Sequence, residues 1–332
     1  MVEDLTVLIA NLGQLENLRP CLGSIFDTAS GKTSFRVIVG FNFEGGNDNP
    51  RALASEFPQV QQLRAPLKLG YCRAYNQLMA RSTGRYVLLL DDDTVLGADT
   101  IDGMVRFMDE HPEVGIAGCR TVNPDGSYQK STARMYSPET EIANVFRPAA
   151  FWNDGIDSTL GTWRAVDWLN GHFLMVRAQV IEQVGGLDER FYTFQCEADW
   201  CLRIRRAGWQ VAYVPDVEVM HIRGAHSSLP GVKSFRNLIR SHINRYYFIR
   251  KHYGNGAMNW FRFIMSAGSM LRLLRYAAVW LVNPGRRPEA GPKVDAYWRI
   301  VLRGAAVHPE DLPDDLRRDH VDFAGFGPGI PK

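Results

Sequence analysis

Three consecutive carboxylates, Asp91, Asp92 and Asp93, end an apolar run in "YVLLLDDDTVLG", residues 86–97. Like charges side by side repel, so a positive partner is expected among them. A short Asp-x-Asp offers a divalent cation two hard oxygens and leaves coordination positions open for the phosphate oxygens of a substrate. A cation held in that way neutralises the charge that develops on a departing diphosphate. The alternative is a solvated acidic turn capping a helix over residues 99–110, although three carboxylates exceed what capping requires. An EF-hand calcium loop is excluded, because the glycine and the distal glutamate are not at the required spacing.

The carboxylates need a scaffold to aim them. Through the first half of the chain, apolar runs alternate with helix-like stretches, the pattern of an α/β domain with a largely parallel sheet. Strands are expected over 5–10, 36–40, 60–64, 86–90 and 114–119, and helices over 14–27, 70–82 and 99–110. Asp91 to Asp93 therefore fall at the carboxyl end of a strand, the edge where open α/β sheets bind ligands. Residues 121–165, rich in Pro, Ser and Asn, read as a long excursion. A second patterned block follows, with a strand over 165–177, a helix over 178–186 closed by glycines, a helix over 197–208, and a strand with its extension over 210–222.

Composition narrows the class. With 332 residues, 45% hydrophobic and 22% charged, the chain can bury a substantial core without staples and suits one large domain with an appendage, or two domains. The five cysteines are odd in number and include no CxxC pair, so neither a disulfide framework nor a zinc site is indicated, and a reducing cytoplasm fits best. The N-terminal "MVEDLTVLIA" is acidic where a secretion signal would be basic, and it reads as a first strand.

The net charge of +2 conceals an asymmetry. Residues 232–293 hold twelve Lys and Arg against Glu289 alone, a local +11 that leaves −9 on the remainder. Such a block calls for an anionic partner. The stretches "SFRNLIRSHINRYYFIRKHYG" and "MNWFRFIMSAGSMLRLLRYAAVWLV" interleave arginine with aromatic and aliphatic residues. Arginines interrupt the second, which makes it a poor transmembrane span and a better interfacial helix on an anionic membrane leaflet. A helical hairpin packed on the main domain, or a homodimer interface, is the competing expectation. No nucleic-acid reader motif accompanies the charge, so nucleic acid is not expected as a partner. Proline and glycine after residue 284 suggest a loosely ordered tail. The expected organisation is a domain over 1–231 with halves near 1–120 and 121–231, a basic amphipathic helical region over 232–284, and the tail over 285–332.

Four ordered segments carry a resemblance: "TVLIANLGQLENLRPCLGSI", "KLGYCRAYNQLMARSTGRYVLLLDDDT", "NPDGSYQ" and "VDWLNGHFLMVRAQVIEQVGGLDERFYTFQCEADWCLRIRRAGWQVAYVPDVEVMH". Together they resemble the family-2 glycosyltransferases, in particular the rhamnosyltransferase-like branch, over about residues 5–226. The resemblance implies a GT-A fold, a nucleotide-diphosphate sugar donor, Mg2+ or Mn2+, and inversion at the anomeric carbon. Its metal motif falls on Asp91 and Asp93 with Asp92 between them, and a histidine that often completes the metal or diphosphate site matches His221. A lone histidine at a strand end is more commonly structural, and His226 is a neighbouring candidate.

The family's general base belongs to a Glu-Asp-x-Asp stretch that reads "CEAD" here, which puts Glu197 in the base position and leaves Asp199 to orient or to replace it. A carboxylate in the first turn of a helix is also favoured by the helix dipole alone. The resemblance sets Asn11, Asn42, Lys68, Gly70, Arg73, Asn76, Asp91 and Asp92 on the donor side, and Trp168, Asn170, Gly171 and His172 under the acceptor sugar. Gly70 opening a helix would let backbone approach a phosphate, and an aromatic face at Trp168 would suit sugar C–H surfaces, while an ordinary amphipathic helix and a core tryptophan explain the same residues.

One departure stands out. The family's nucleoside-contacting aspartate is replaced by Phe41, so Asn42, Glu44 or Asp48 substitutes, Phe41 stacks on the base, or donor binding is weak. The expected activity is metal-dependent inverting sugar transfer to a glycan or lipid-linked glycan, in the cytoplasm or on the inner face of the plasma membrane. A catalytically silent binding or assembly subunit is the rival.

Overall fold

The computed structural model describes residues 3–11, 15–41, 49–64, 69–140, 161–191, 194–222 and 232–303. Four parallel strands, β1 (Leu5–Asn11), β2 (Phe35–Phe41), β3 (Gln61–Arg64) and β4 (Tyr86–Leu90), run in the order β3-β2-β1-β4. β1 and β4 are buried along their whole length, which is why their sequences read as unbroken apolar runs. The sheet continues with β11 (Phe173–Arg177), antiparallel to both β4 and β6 (Val114–Val122). Then come β12 (Gln210–His221), parallel to β6, and β5 (Thr94–Leu96), antiparallel to β12. Short strands β7 (Tyr128–Gln129) and β9 (Arg164–Ala165) attach to β6 and β12, while β8 (Thr132–Ala133) and β10 (Trp168–Leu169) form a separate ribbon.

Helices cover both faces. One core holds α1 (Leu15–Asp27), α2 (Asn49–Glu56) and α4 (Thr100–Glu110) against the sheet. The other holds α3 (Tyr71–Met79), α5 (Ala178–Val184) and α6 (Cys196–Arg206). The long α7 (Val232–Val282) joins this second core through Tyr246, Tyr247, Phe248 and Phe261. It bends at Gly254, whose φ of 87° is left-handed backbone that glycine adopts freely. A short turn then leads into α8 (Arg287–Arg303), which folds back along α7.

The expected strands and helices of the first half are all present within a few residues of their bounds. Three differences have physical causes. The run 165–177 is two strands, because residues 170–172 turn between β10 and β11 at a close approach of backbone to side chains. The excursion after 121 carries β7 and β8, and residues 141–160 lie outside the described ones. The tail opens with the helix α8, since Pro288 falls in its first turn, where the missing N–H is not needed. The boundary expected at 231, like residues 304–332, lies outside the described residues. All five cysteines are buried and free, as their spacing suggested.

Candidate active site

The sheet order delivers several chain segments to one edge. β1 ends at Asn11 and β4 ends just before Asp91. Antiparallel β11 pairs Phe173 with Leu90, which sets His172 beside Asp91, and the Asp91 backbone N–H donates to the His172 carbonyl at 3.1 Å. The last residue of β12, His221, pairs with Thr94. The Ile222 N–H donates to the Asp93 carbonyl at 2.9 Å, which ties that strand end to the carboxylate turn.

Around Asp91 the side chains form a nitrogen and oxygen cluster. His172 Nδ1 lies 3.3 Å from Asp91 Oδ2, and the His172 and His221 rings stack with centroids 3.8 Å apart. His221 Nε2 lies 3.1 Å from Asp93 Oδ1 and 4.0 Å from Asp91 Oδ2. Ligand atoms of Asp91, His172 and His221 fall within 4.8 Å of one another, a spacing one divalent ion bridges after small side-chain adjustments. Behind His221, its Nδ1 meets Gln129 Oε1 at 2.6 Å, and the Gln129 amide nitrogen donates to Asn123 Oδ1 at 2.8 Å. That second bond fixes the amide, so His221 Nδ1 donates and Nε2 is the ring atom turned toward the carboxylates. Only a proton or a cation reconciles a lone pair with two facing carboxylates, and orientation of a ligating histidine by an outer partner is the usual support of a metal site. The donor set of carboxylates and imidazoles fits a first-row divalent ion.

Of the residues expected around a metal, Asp91 and His221 are in this cluster. Asp93 is buried and reaches it through His221. His172, expected under the acceptor, is brought to Asp91 and His221 instead, by the antiparallel register of β11. Gln129 had no expected role, although "NPDGSYQ" was visible; its position behind His221 comes from β7 folding back on β6.

Glu197 occupies the first turn of α6, half-buried. Burial pushes its carboxyl above the ordinary glutamate range, its own backbone N–H and Cys196 pull it back, and the charge of Asp91 adds to the rise. The approach to α6 is unusual backbone: Phe194 and Gln195, neither a glycine, have φ of 60° and 59°. Consecutive left-handed residues cost energy and persist only where the surroundings impose them. Here they turn the chain so that Glu197 faces Gly171.

A Cβ on Gly171 would sit 2.8 Å from Glu197 Oε1 and 2.8 Å from the Tyr71 hydroxyl. Gly171→Ala is therefore expected to push the Glu197 carboxylate aside. Both obstructing atoms end movable side chains, so the melting temperature should change little while kcat falls by about tenfold to a hundredfold. Parallel thermal melts and initial rates check this.

Asp199, expected to orient the base or to replace it, is enclosed by basic side chains. It is fully buried and receives Arg203 Nε at 2.9 Å, Lys251 Nζ at 2.5 Å and His252 Nε2 at 2.8 Å. Burial alone would raise its pKa, but His252, Arg203 and Lys251 together hold it below the ordinary aspartate range. A buried carboxylate so surrounded cannot reach an acceptor hydroxyl. Lys251 Nζ also meets Asp188 Oδ2 at 2.7 Å, and the Tyr247 hydroxyl donates to the same oxygen at 2.9 Å, so α7 is pinned to α6 and to the loop before it.

The donor-side expectations divide. Asn42 and Lys68 lie outside the described residues, as do Glu44, Asp48 and His226. Gly70 is a buried N-cap of α3, with its carbonyl already accepting from Ala74. Arg73 Nε pairs with Glu189 at 3.3 Å. The Asn76 amide donates to the Leu187 carbonyl and accepts from the Leu187 N–H, at 2.8 and 2.9 Å, so it braces a loop. Asn11 and Asp92 are likewise buried and bonded to each other at 2.7 Å, which places them behind the carboxylate turn. Phe41 is buried in the core and does not present a face for a base.

On the acceptor side, Trp168 stays partly exposed, with its indole N–H donating to the Arg134 carbonyl at 2.9 Å and its ring 5.7 Å from Tyr136. The Asn170 side-chain nitrogen donates to the Lys130 carbonyl, so it holds the neighbouring segment in place.

A family model described as "Glycosyltransferase like family 2" matches residues 3–241. Among curated proteins, the chain is similar to N-acetylglucosaminyl-diphospho-decaprenol L-rhamnosyltransferase of Mycobacterium tuberculosis, 30% identical over 217 residues that cover 60% of this chain and 70% of that protein. A mannosyltransferase from Pyrobaculum calidifontis, solved with GDP-Man and Mn2+, superposes with a TM-score of 0.54 and 16% identity, covering 91% of this chain and 88% of that one. GalNAc-T7, solved with UDP, GalNAc and Mn2+, gives a TM-score of 0.55 and 12% identity over 75% of this chain, which spans 50% of that protein's length. At such identities the two structures speak for the fold alone, and the fold is GT-A.

Proposed function

Since the chain belongs to glycosyltransferase family 2 and is a glycosyltransferase, we propose that it moves a hexose, rhamnose as first choice, from a nucleotide-diphosphate sugar to an acceptor hydroxyl, with metal assistance and inversion at the anomeric carbon. The observation that carries this reading is Glu197, a carboxylate of raised proton affinity facing Gly171 beside the Asp91, His172 and His221 cluster. Residues about 1–120 serve the donor and about 121–231 the acceptor.

Glu197 accepts the acceptor hydroxyl's proton as its oxygen bonds to the anomeric carbon, and the bond from that carbon to the diphosphate oxygen breaks. Gly171 leaves the room in which that carboxylate stands, and Asp199 with Lys251 and His252 fixes the helix that carries it. Asp91, His172 and His221, with Asp93 adjoining, would hold a divalent cation, which would supply positive charge to the leaving nucleoside diphosphate. Two imidazoles in the donor set suit Mn2+ better than Mg2+, which prefers oxygen.

The name of the Mycobacterium relative points to an acceptor sugar on a polyprenyl diphosphate, and we carry that acceptor class to this chain. A site on the cytoplasmic face of a membrane accords with five unpaired buried cysteines, and no helix among the described residues is long and apolar enough to cross a bilayer.

The test measures nucleoside diphosphate release from dTDP-, UDP- and GDP-sugars with a lipid diphosphate sugar as acceptor, with Mn2+ or Mg2+ added. Release from one nucleotide class, faster with Mn2+ and yielding the inverted anomer by NMR, is expected. Absence of release from every donor would sink the transfer reading, and a retained anomer would overturn inversion.

A further inference from the structure

The arm of α7 beyond Gly254 begins in the core and ends in the open. Phe261 and Met265 are buried against the catalytic domain. Trp260, Phe263, Leu271, Leu274, Leu281 and Val282 are exposed, with Phe263 at 67%, Leu281 at 65% and Val282 at 83%. At 100° per residue these six fall on one side of the helix, and the positions between them on that side, 267 and 278, are alanines. No charged residue interrupts the stripe. It runs over 23 residues, from Trp260 to Val282, a length of about 33 Å.

Folding back, α8 leaves this stripe open. Its Tyr297 ring stacks on Tyr276 at 5.8 Å, and Lys293 sits over the same Tyr276 ring. Tyr276 is two residues beyond Leu274, about 200° round the helix, so α8 covers the side opposite the stripe. A contiguous exposed apolar surface of this length on a soluble surface marks an interaction site.

Charge selects the occupant. Residues 260–293 hold six Lys and Arg against Glu289, a net +5, and Arg275 and Arg286 are exposed near the stripe. A second copy of this chain packed stripe to stripe would set these like charges against each other. An anionic bilayer offers both an apolar interior for the stripe and negative headgroups for its flanks.

We propose that the stripe from Trp260 to Val282 lies in the plane of an anionic phospholipid bilayer, with its apolar side buried at the boundary of headgroups and acyl chains. The stacked Trp260 and Phe263 rings, 5.9 Å apart, begin the stripe where it leaves the domain core. This seats the catalytic domain on the surface from which a lipid-carried acceptor would rise. That last link rests on the proposed transfer reaction; the docking does not.

The experiment is flotation of the full chain with vesicles of phosphatidylcholine containing about one third phosphatidylglycerol, against phosphatidylcholine alone, at low and at about 0.5 M salt. The wild type is expected with the anionic vesicles, at least about tenfold more than with neutral ones, and less at high salt. A Phe263→Asp/Leu274→Asp double variant should lose about tenfold or more of that binding, with donor turnover on a water-soluble acceptor unchanged. Leu281→Asp, near the exposed end of the helix, reads the same loss should the double variant fold poorly.

Wild type absent from anionic vesicles, or stripe variants that float as well as wild type, would overturn the proposal. A stripe variant that turns a dimer into a monomer in sedimentation, with flotation unaffected, would overturn it in favour of a second copy. No donor, metal or turnover enters the flotation, so failure of docking and failure of the transfer reaction are read separately.

Discussion

Glu197→Gln is expected to lower kcat by about 10²- to 10⁴-fold without lowering the melting temperature at neutral pH. The two halves of that result have one cause. A group whose pKa is raised by burial contributes stability that is fully present below its unfolded value of 4.5 and lost as pH rises through the folded value. Above that folded value the ionised Glu197 therefore stabilises the fold less than a neutral amide of the same shape would. In the wild type, kcat/KM should rise with pH along a limb centred above 4.5, because the base acts only when deprotonated, and that limb should vanish in the amide variant. A variant that lost activity and melting temperature together would reassign Glu197 to a structural part. Measurement needs only pH-rate profiles and melts on the two proteins.

The second large effect concerns the cation. Asp91→Asn removes a partly exposed carboxylate from the His172 and His221 cluster, and is expected to reduce turnover by about 10³-fold, the equivalent of several kcal/mol of charge stabilisation in the transition state. Gln129→Leu supplies the contrast. It leaves every ligand in place but frees His221 Nδ1, so about 10- to 100-fold more Mn2+ should be needed for half-maximal activity, with kcat recovered at saturation. Titration of Mn2+ against initial rate separates the two variants. Equal and metal-independent losses in both would show that the cluster serves folding and not the leaving diphosphate.

How far these sites could be read from the sequence depended on whether their geometry is local. The carboxylate turn was legible because one apolar strand runs directly into it, and the sheet edge follows from the strand. Glu197 came from the resemblance of "CEAD" to the family's base stretch, and helix patterning alone said only that it lies in a first turn. His172 was not legible. It meets Asp91 through antiparallel pairing of Phe173 with Leu90, strands separated by more than eighty residues, and nothing in "NGHFLMVR" announces that direction. Asn76 shows the reverse: the resemblance set it on the donor side, and only the fold shows that both faces of its amide are used by the Leu187 backbone. The α8 helix was hidden by its prolines and glycines, which count against a helix by propensity but are tolerated where they sit early in one packed on α7.

Lys251 and His252 also bear on heredity. Both lie beyond residue 241, where the recognisable family segment stops, and both are spent on Asp199 inside it. A gene fragment exchanged between genomes at that boundary would carry a buried carboxylate stripped of the Lys251 ammonium and the His252 hydrogen bond, a loss of about 3–5 kcal/mol for the broken ion pair alone. The stretch of α7 before Gly254 and the family segment are therefore one folding unit. Sequence change in that stretch is limited by the need to hold the helix of Glu197, and a lineage that altered the exposed stripe beyond Gly254 would still have to keep Lys251 and His252.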